Sequence, residues 1–142
     1  MEISRTALDV EWRRLEIVSE NLANLNSARG ASGALYKARH LVSGPRADFA
    51  SHLDRAGDAI DLVRLGGVAV YGIEAEDAPP RLVHEPGNPR ADAEGMVAYP
   101  AIDHAGQMLL LIKASRAYEA NIVAMNAARQ MYAKALDIGR RS

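Results

Sequence analysis

The stretch "ASRAYEANIVAMNAARQMYAKALDIG", Ala114 to Gly139, lies near the end of the chain and decides the fold class. It contains no proline, its only glycine is its last residue, and alanine, the strongest helix former, recurs throughout. These features predict one long helix over residues 103–139, with Asp103 as the N-cap and Gly139 as the C-cap. At about 1.5 Å per residue such a helix measures roughly 50 Å, which is too long for the interior of a compact domain of this size.

One side of this helix carries a heptad pattern of mostly apolar residues, spaced alternately three and four apart. The pattern consists of Met108, Leu111, Ser115, Tyr118, Ile122, Met125, Arg129, Tyr132 and Leu136. Arg129 is the one charged member, and two interpretations remain open for it. Its charge could fix the register of helix pairing, or its stem could lie over apolar surface while the guanidinium reaches solvent.

Residues 1–26 predict the partner helix. Its apolar stripe has the same spacing and consists of Leu15, Val18, Leu22 and Leu25. We therefore expect the two terminal helices to pair as an antiparallel, coiled-coil-like hairpin. Asparagines flank the apolar stripes at Asn21, Asn24, Asn121 and Asn126. They could form hydrogen bonds between helices, but solvated polar positions are the default expectation.

The opposite side of the C-terminal helix carries a second stripe of small or apolar residues. It consists of Ala117, Ala120, Ala124, Ala127 and Met131. A surface helix normally carries charged residues on its outer side. Either alanine is present there only as the best helix former, or this side is also buried, by neighbouring copies of the chain. We prefer the second interpretation, because charged residues propagate a helix nearly as well and add solubility.

The middle of the chain, residues 27–102, is predicted to be loop-rich with short β-strands. The strand candidates are "ALYKARHLV", "VAVYGI", "RLVHE" and "MVAYP", while residues 44–67 fit either a short helix or a loop. Five of the six prolines fall within residues 79–100, which disfavours long regular elements there. The predicted fold is therefore α+β, mainly α, with residues 1–142 forming a single domain.

Nothing in the sequence points to catalysis, a metal site or a cofactor. The chain has no cysteine, its net charge of −1 attracts no nucleic acid, and its histidines lack the spacing of a metal pair. Phosphate-binding and nucleophile motifs are absent. No apolar stretch predicts a membrane span or a signal peptide, which by itself predicts a cytoplasmic protein. The alternative is an enzyme or ligand-binding domain built around the loop of residues 79–100, since long loops often carry function.

Three stretches resemble one known family. "ASRAYEANIVAMNAARQMYAKALDIGR" resembles the C-terminal helix of bacterial flagellar basal-body rod proteins. "PPRLVHEPGNPRADAEGMVAYP" is similar to the middle segment of the proximal-rod members of this flagellar axial family. "SENLANLNS" resembles the N-terminal Asn-x-x-Asn motif of the family, which Asn21 and Asn24 carry here.

The resemblance implies a structural, non-catalytic subunit of the proximal rod, the periplasmic drive shaft between motor and hook. Such subunits polymerise through their terminal helices and leave the cytoplasm through the flagellar type III export apparatus without a cleaved signal peptide, which replaces the cytoplasmic expectation above. The implied partners are other copies of the chain, the rod proteins FlgB, FlgF and FlgG, and the rod-base adaptor FliE. No cofactor, nucleic acid or membrane insertion is implied.

Two alternatives to this reading stay open. One is a non-catalytic coiled-coil adaptor that uses the same helices to hold a cytoplasmic partner. The other is a divergent rod paralogue from a second flagellar system. Glu20 stands where the family motif tends to have a small or neutral residue, and the stretch Glu11, Trp12, Arg13 and Arg14 makes the N-terminal helix more charged than the resemblance leads us to expect.

Overall fold

Two long helices and four short strands make up the computed structural model, which describes residues 2–27, 34–46 and 66–140. In chain order the elements are α1 (Glu2–Ala23), β1 (Arg39–Pro45), β2 (Val68–Ala75), β3 (Arg81–His84), β4 (Met96–Tyr99) and α2 (His104–Gly139). The terminal helices and the short antiparallel strands between them confirm the predicted α+β class.

Helix α1 is the central element, because α2 packs on one side of it and the β1–β2 sheet packs on another. Near its end, Asn21 donates a hydrogen bond to Gln107 at the start of α2. Further back along α1, the ring centroid of Trp12 lies 6.1 Å from that of Tyr118. Residues that come earlier in α1 thus meet residues that come later in α2, so the two helices run in opposite directions. The buried apolar side chains of α1 are those of Val10, Ile17 and Val18.

The described strands form two separate antiparallel pairs, β1 with β2 and β3 with β4. The first pair contains a register shift between Val42 and Ser43, where Tyr71 is one extra residue in β2 with no partner in β1. The stretch predicted as the first strand begins too early, since residues 34–38 lie outside the regular strand. The other three strand candidates coincide with β2, β3 and β4. Most of the ambiguous stretch 44–67, namely residues 47–65, lies outside the described residues.

The ends of the helices differ slightly from the predicted ones. Asp103 is the N-cap of α2, and its carboxylate accepts a hydrogen bond of 3.1 Å from the backbone N–H of Ala105. Gly139 is the last helical residue rather than the cap, because Arg140 continues in right-handed backbone conformation and donates its N–H to the carbonyl of Leu136. Helix α1 ends at Ala23, and residues 24–26 form a turn instead of a further helical turn.

A close approach between Thr6 and Gly67 joins α1 to the start of β2. The hydroxyl of Thr6 donates to the carbonyl of Ile3 and accepts from the backbone N–H of Val68, at 2.8 and 3.1 Å. Gly67 has φ +100, and a Cβ there would lie 2.2 Å from the Thr6 hydroxyl oxygen. Both the backbone conformation and the space therefore require glycine at this position.

Gly67→Ala should lower the free energy of unfolding by about 2–4 kcal/mol, because it combines a strained backbone with a clash against Thr6. The measurement is urea unfolding followed by circular dichroism. Gly72→Ala in β2 is the matched control, since a Cβ at Gly72 meets no atom within 4 Å. If the two variants are equally stable, the proposed contact between α1 and β2 is wrong.

Candidate assembly surface

Asn21 lies at the junction of α1, α2 and the first sheet, and its side chain is completely buried. Its amide nitrogen donates to the carbonyl of Arg39 at 2.8 Å and to the side-chain oxygen of Gln107 at 3.1 Å. Its amide oxygen accepts from the hydroxyl of Tyr36 at 2.8 Å and from the backbone N–H of Arg39 at 3.0 Å. Both donors and both acceptor positions of the amide are therefore satisfied.

The expectation that Asn21 is solvated is wrong, because a buried amide is retained only where its hydrogen bonds are made. No apolar side chain of similar size could replace the four bonds, which tie β1 and the segment before it to both helices. The other asparagines differ from Asn21. Asn24 donates to the carbonyl of Glu20, Asn121 donates to the carbonyl of Ala117 within its own helix, and Asn126 is exposed.

Tyr36 and Arg39 complete the surroundings of this junction. Burial raises the pKa of the Tyr36 hydroxyl, so the group stays protonated and remains a hydrogen-bond donor to Asn21. The guanidinium of Arg39 lies 5.9 Å from the ring centroid of Tyr36 and forms an ion pair with Glu20 of α1. The strand, the preceding segment and the helix are thus linked by polar contacts at one end of α1.

The side of α2 that is covered in the single chain contains part of the predicted heptad pattern. Half-buried members of that pattern are Leu111, Ser115, Tyr118, Ile122 and Met125. Along α1, Val18 is buried, and Leu15, Leu22 and Leu25 are half-buried. The covered side of α2 also includes Ala114, which is 1% exposed and which the heptad count missed. The small side chain of alanine, which allows another helix to approach closely, was the feature of the sequence that could have indicated this burial.

The remaining heptad residues of α2 are exposed. Met108 lies before the covered segment, and Arg129, Tyr132 and Leu136 lie after it. Glu2 and Arg5 line a shallow cleft together with Met125 and Arg129, so the first turn of α1 lies beside this part of α2. From Arg129 onward every described residue of α2 is exposed. Helix α2 has 36 residues and α1 has 22, which leaves roughly 20 Å of α2 extending past α1.

The second stripe of α2 is open to solvent along most of its length. Ala117 is half-buried, whereas Ala120, Ala124 and Ala127 are exposed and Met131 is 66% exposed. Large apolar side chains on other parts of the same helix are exposed as well, among them Leu109, Ile112 and Val123. Helix α2 therefore presents apolar groups on several sides in the single chain.

The described residues contain neither a metal-binding cluster nor a membrane-spanning helix. Among residues 2–27, 34–46 and 66–140, no group of His, Asp and Glu side chains could hold a metal ion. Within the same ranges, no helix is long and apolar enough to cross a bilayer. The exposed helical surface is thus the most distinctive feature of the described structure.

Asn21→Ala should lower the free energy of unfolding by about 2–4 kcal/mol, because it leaves the Arg39 N–H, the Tyr36 hydroxyl and the Gln107 amide without their shared partner. Urea unfolding of the purified chain measures this change. Asn126→Ala removes an exposed asparagine from α2 and should alter stability by less than about 0.5 kcal/mol. Equal effects of the two substitutions would contradict the role given to the buried amide.

Comparisons with known proteins identify the family of the chain. Residues 93–138 match the family model described as the flagellar basal body rod FlgEFG protein C-terminal. The chain is 37% identical to the flagellar basal-body rod protein FlgC of Salmonella typhimurium over 139 residues, covering 98% of this chain and 95% of the relative. It is 35% identical to FlgC of Bacillus subtilis over 150 residues, covering 99% and 96%. The chain therefore belongs to the FlgC family of flagellar basal-body rod proteins, whose role in the flagellum is structural rather than catalytic.

Proposed function

We propose that this chain is a subunit of the proximal rod and that it assembles with neighbouring subunits through α1 and α2. The rod so formed is the periplasmic drive shaft between motor and hook. Residues 1–142 act as a single axial domain in which the strands brace the helical pair. The observation that carries this proposal is the apolar surface that α2 leaves exposed on the side away from α1.

Helices α1 and α2 already pack against each other within the single chain. We propose that they pair as an antiparallel, coiled-coil-like hairpin, for which the heptad spacing on both helices is the support. Asn21 acts as the polar residue that fixes the register, because its bond to Gln107 forms in one alignment only. The ring contact of Trp12 with Tyr118, and the cleft that Glu2 lines together with Met125 and Arg129, agree with that alignment along the helices.

The open side of α2 forms the contact with neighbours. Small side chains at Ala120, Ala124 and Ala127 allow another helix to approach closely, and Met131 adds a flexible apolar contact. A single soluble chain rarely exposes a continuous apolar surface of this kind unless it is an interaction site. Burial of this stripe and of the exposed Tyr132 and Leu136 would then contribute to rod stability.

Export and partners follow from the same proposal. The chain leaves the cytoplasm through the flagellar type III export apparatus, without a cleaved signal peptide. Its neighbours in the rod are other copies of itself, the rod proteins FlgB, FlgF and FlgG, and the adaptor FliE at the rod base. A coiled-coil adaptor in the cytoplasm would use the same helices, so the location of the protein separates the two proposals.

Ala124→Glu should leave the isolated chain folded, because residue 124 is exposed, but should abolish rod assembly by placing an unpaired carboxylate in an apolar contact. Swimming and basal-body microscopy in a deletion strain complemented with the variant measure the result. Gln130→Glu adds the same charge at another exposed position of α2, and complementation with this variant should restore swimming and rod assembly. Normal rods with Ala124→Glu would show that this side of α2 is not an assembly contact.

Deletion of the gene should give cells without rods beyond the membrane ring and without hooks or filaments, because a missing proximal segment interrupts the shaft. Electron microscopy of isolated basal bodies, with a swimming assay, measures this outcome. Intact rods would indicate a redundant subunit from a second flagellar system or contradict the proposed role. A double deletion with any paralogue distinguishes these two explanations.

A further inference from the structure

One side of α1 carries a row of polar side chains that bind the first sheet. This polar row consists of Thr6, Arg14 and Asn21. Its first member accepts a hydrogen bond of 3.1 Å from the backbone N–H of Val68 in β2. Its middle member donates a hydrogen bond of 3.1 Å to the hydroxyl of Ser43 in β1. Its last member exchanges hydrogen bonds of 2.8 and 3.0 Å with the backbone of Arg39, where β1 begins.

The spacing of the polar row matches the length of the sheet. Its members are eight and seven residues apart, each close to two helical turns, so they lie on one side of α1. From Thr6 to Asn21 is 15 residues, or about 22 Å along the helix. Their partners lie at the two ends of β1, since Val68 pairs with Pro45, and the six residue steps from Arg39 to Pro45 span about 20 Å. The sheet is therefore bound over most of the length of α1.

A second charge holds the middle contact in place. Arg14 also forms an ion pair with Glu11, one turn earlier in α1, and the two side chains are 30% and 14% exposed. The planar guanidinium can donate to the carboxylate and to Ser43 at once. One oxygen of Glu11 is buried without a hydrogen-bond partner, so a loss of Arg14 would leave a buried charge unpaired. Ser43 is thus the member of this contact that can be changed with the ion pair intact.

The two sides of α1 hold their partners through different kinds of contact. The side that faces α2 carries the apolar stripe Leu15, Val18, Leu22 and Leu25. Apolar contacts have no preferred direction, and packed elements slide on them by small amounts. Hydrogen bonds require a narrow range of distance and angle. The polar row therefore fixes the first sheet both along α1 and around it.

We propose that the polar row is a mechanical coupling, which stops the first sheet from sliding or turning on α1 when the subunit carries a torsional load. This inference rests on the proposed rod function, because a drive shaft transmits torque only through contacts that resist it. One fixed point at Asn21 would let the sheet pivot. Contacts spread over about 22 Å resist that rotation, because each acts at a distance from the others.

Spin labels on pairs of introduced cysteines measure the coupling in the purified chain, because the natural chain has no cysteine. The variant that combines Thr6→Val with Ser43→Ala removes two hydroxyl contacts and keeps the one at Asn21. Labels on Asp9→Cys and Val70→Cys, at exposed positions, report on the far end of the sheet. We expect their distance distribution to widen at least about twofold in the variant, because the hydrogen bonds that hold this end are lost.

A second label pair serves as the internal control. Labels on Ser19→Cys and Ala75→Cys lie beside the Asn21 contact, since Ala75 pairs with Arg39, and their distribution should keep its width. Circular dichroism verifies that each variant folds. Should the double variant fail to fold, Ser43→Ala alone is measured and should give a smaller widening at the far end only.

The load-bearing role is tested in a deletion strain complemented with Ser43→Ala. Electron microscopy should show normal rods, and swimming in dilute buffer should match the natural chain. In medium thickened with methylcellulose, the swimming speed relative to the natural chain should fall at least about twofold, because a single lost hydrogen bond weakens the coupling without unfolding the chain. Ser19→Ala, which removes an exposed hydroxyl from α1, should swim normally in both media.

Three results would overturn the coupling. These are unchanged widths at the far end, equal widening of both label pairs, or rods that swim under load as well as those of the natural chain. Missing rods with Ser43→Ala would also overturn it, because the contact would then serve assembly instead of load. The rod function is tested separately by the gene deletion, and the label distances do not depend on it.

Discussion

The four hydrogen bonds of the buried Asn21 side chain determine how the rest of the structure is arranged. They join α2, β1 and the segment before β1 to α1 at a single point. A buried amide is costly unless every bond is made, so this one is compatible with only one alignment of its neighbours. The antiparallel alignment that continues to Trp12 and Tyr118 agrees with that fixed point.

With that alignment fixed, α1 has partners within the chain along its length, whereas the later part of α2 does not among the described residues. One side of α1 contacts α2, and another contacts the first sheet. The first turn of α1 lies beside Met125 and Arg129. Helix α2 is longer and receives no comparable cover on its second stripe or beyond Arg129 among the described residues. The difference in length between the helices therefore creates the exposed surface on which the proposed assembly depends.

The interior of the single chain is small by comparison with its exposed apolar surface. The buried apolar side chains among the described residues are few and small, and include Val10, Ile17, Val18, Ala38, Val97, Pro100 and Ala114. Large apolar side chains such as Val123 and Met131 remain more than half exposed. A chain of this kind gains much of its burial from neighbours rather than from its own core. This balance suits a subunit that is stabilised by assembly with its neighbours.

The sequence by itself determined the elements whose signals are local. The heptads and Asp103 predicted α2 and its start, and the short β-branched or apolar runs predicted β2, β3 and β4, because periodicity and capping depend on near neighbours. Family membership was also readable from the sequence. Only the tertiary structure decided that Asn21 is buried, that Ala114 lies on the covered side of α2, and that α1 leaves Tyr132 uncovered. Each of these depends on contacts between residues that are distant in the sequence. The residue spacing within one helix does not specify how long its partner helix is or which side of that partner faces it.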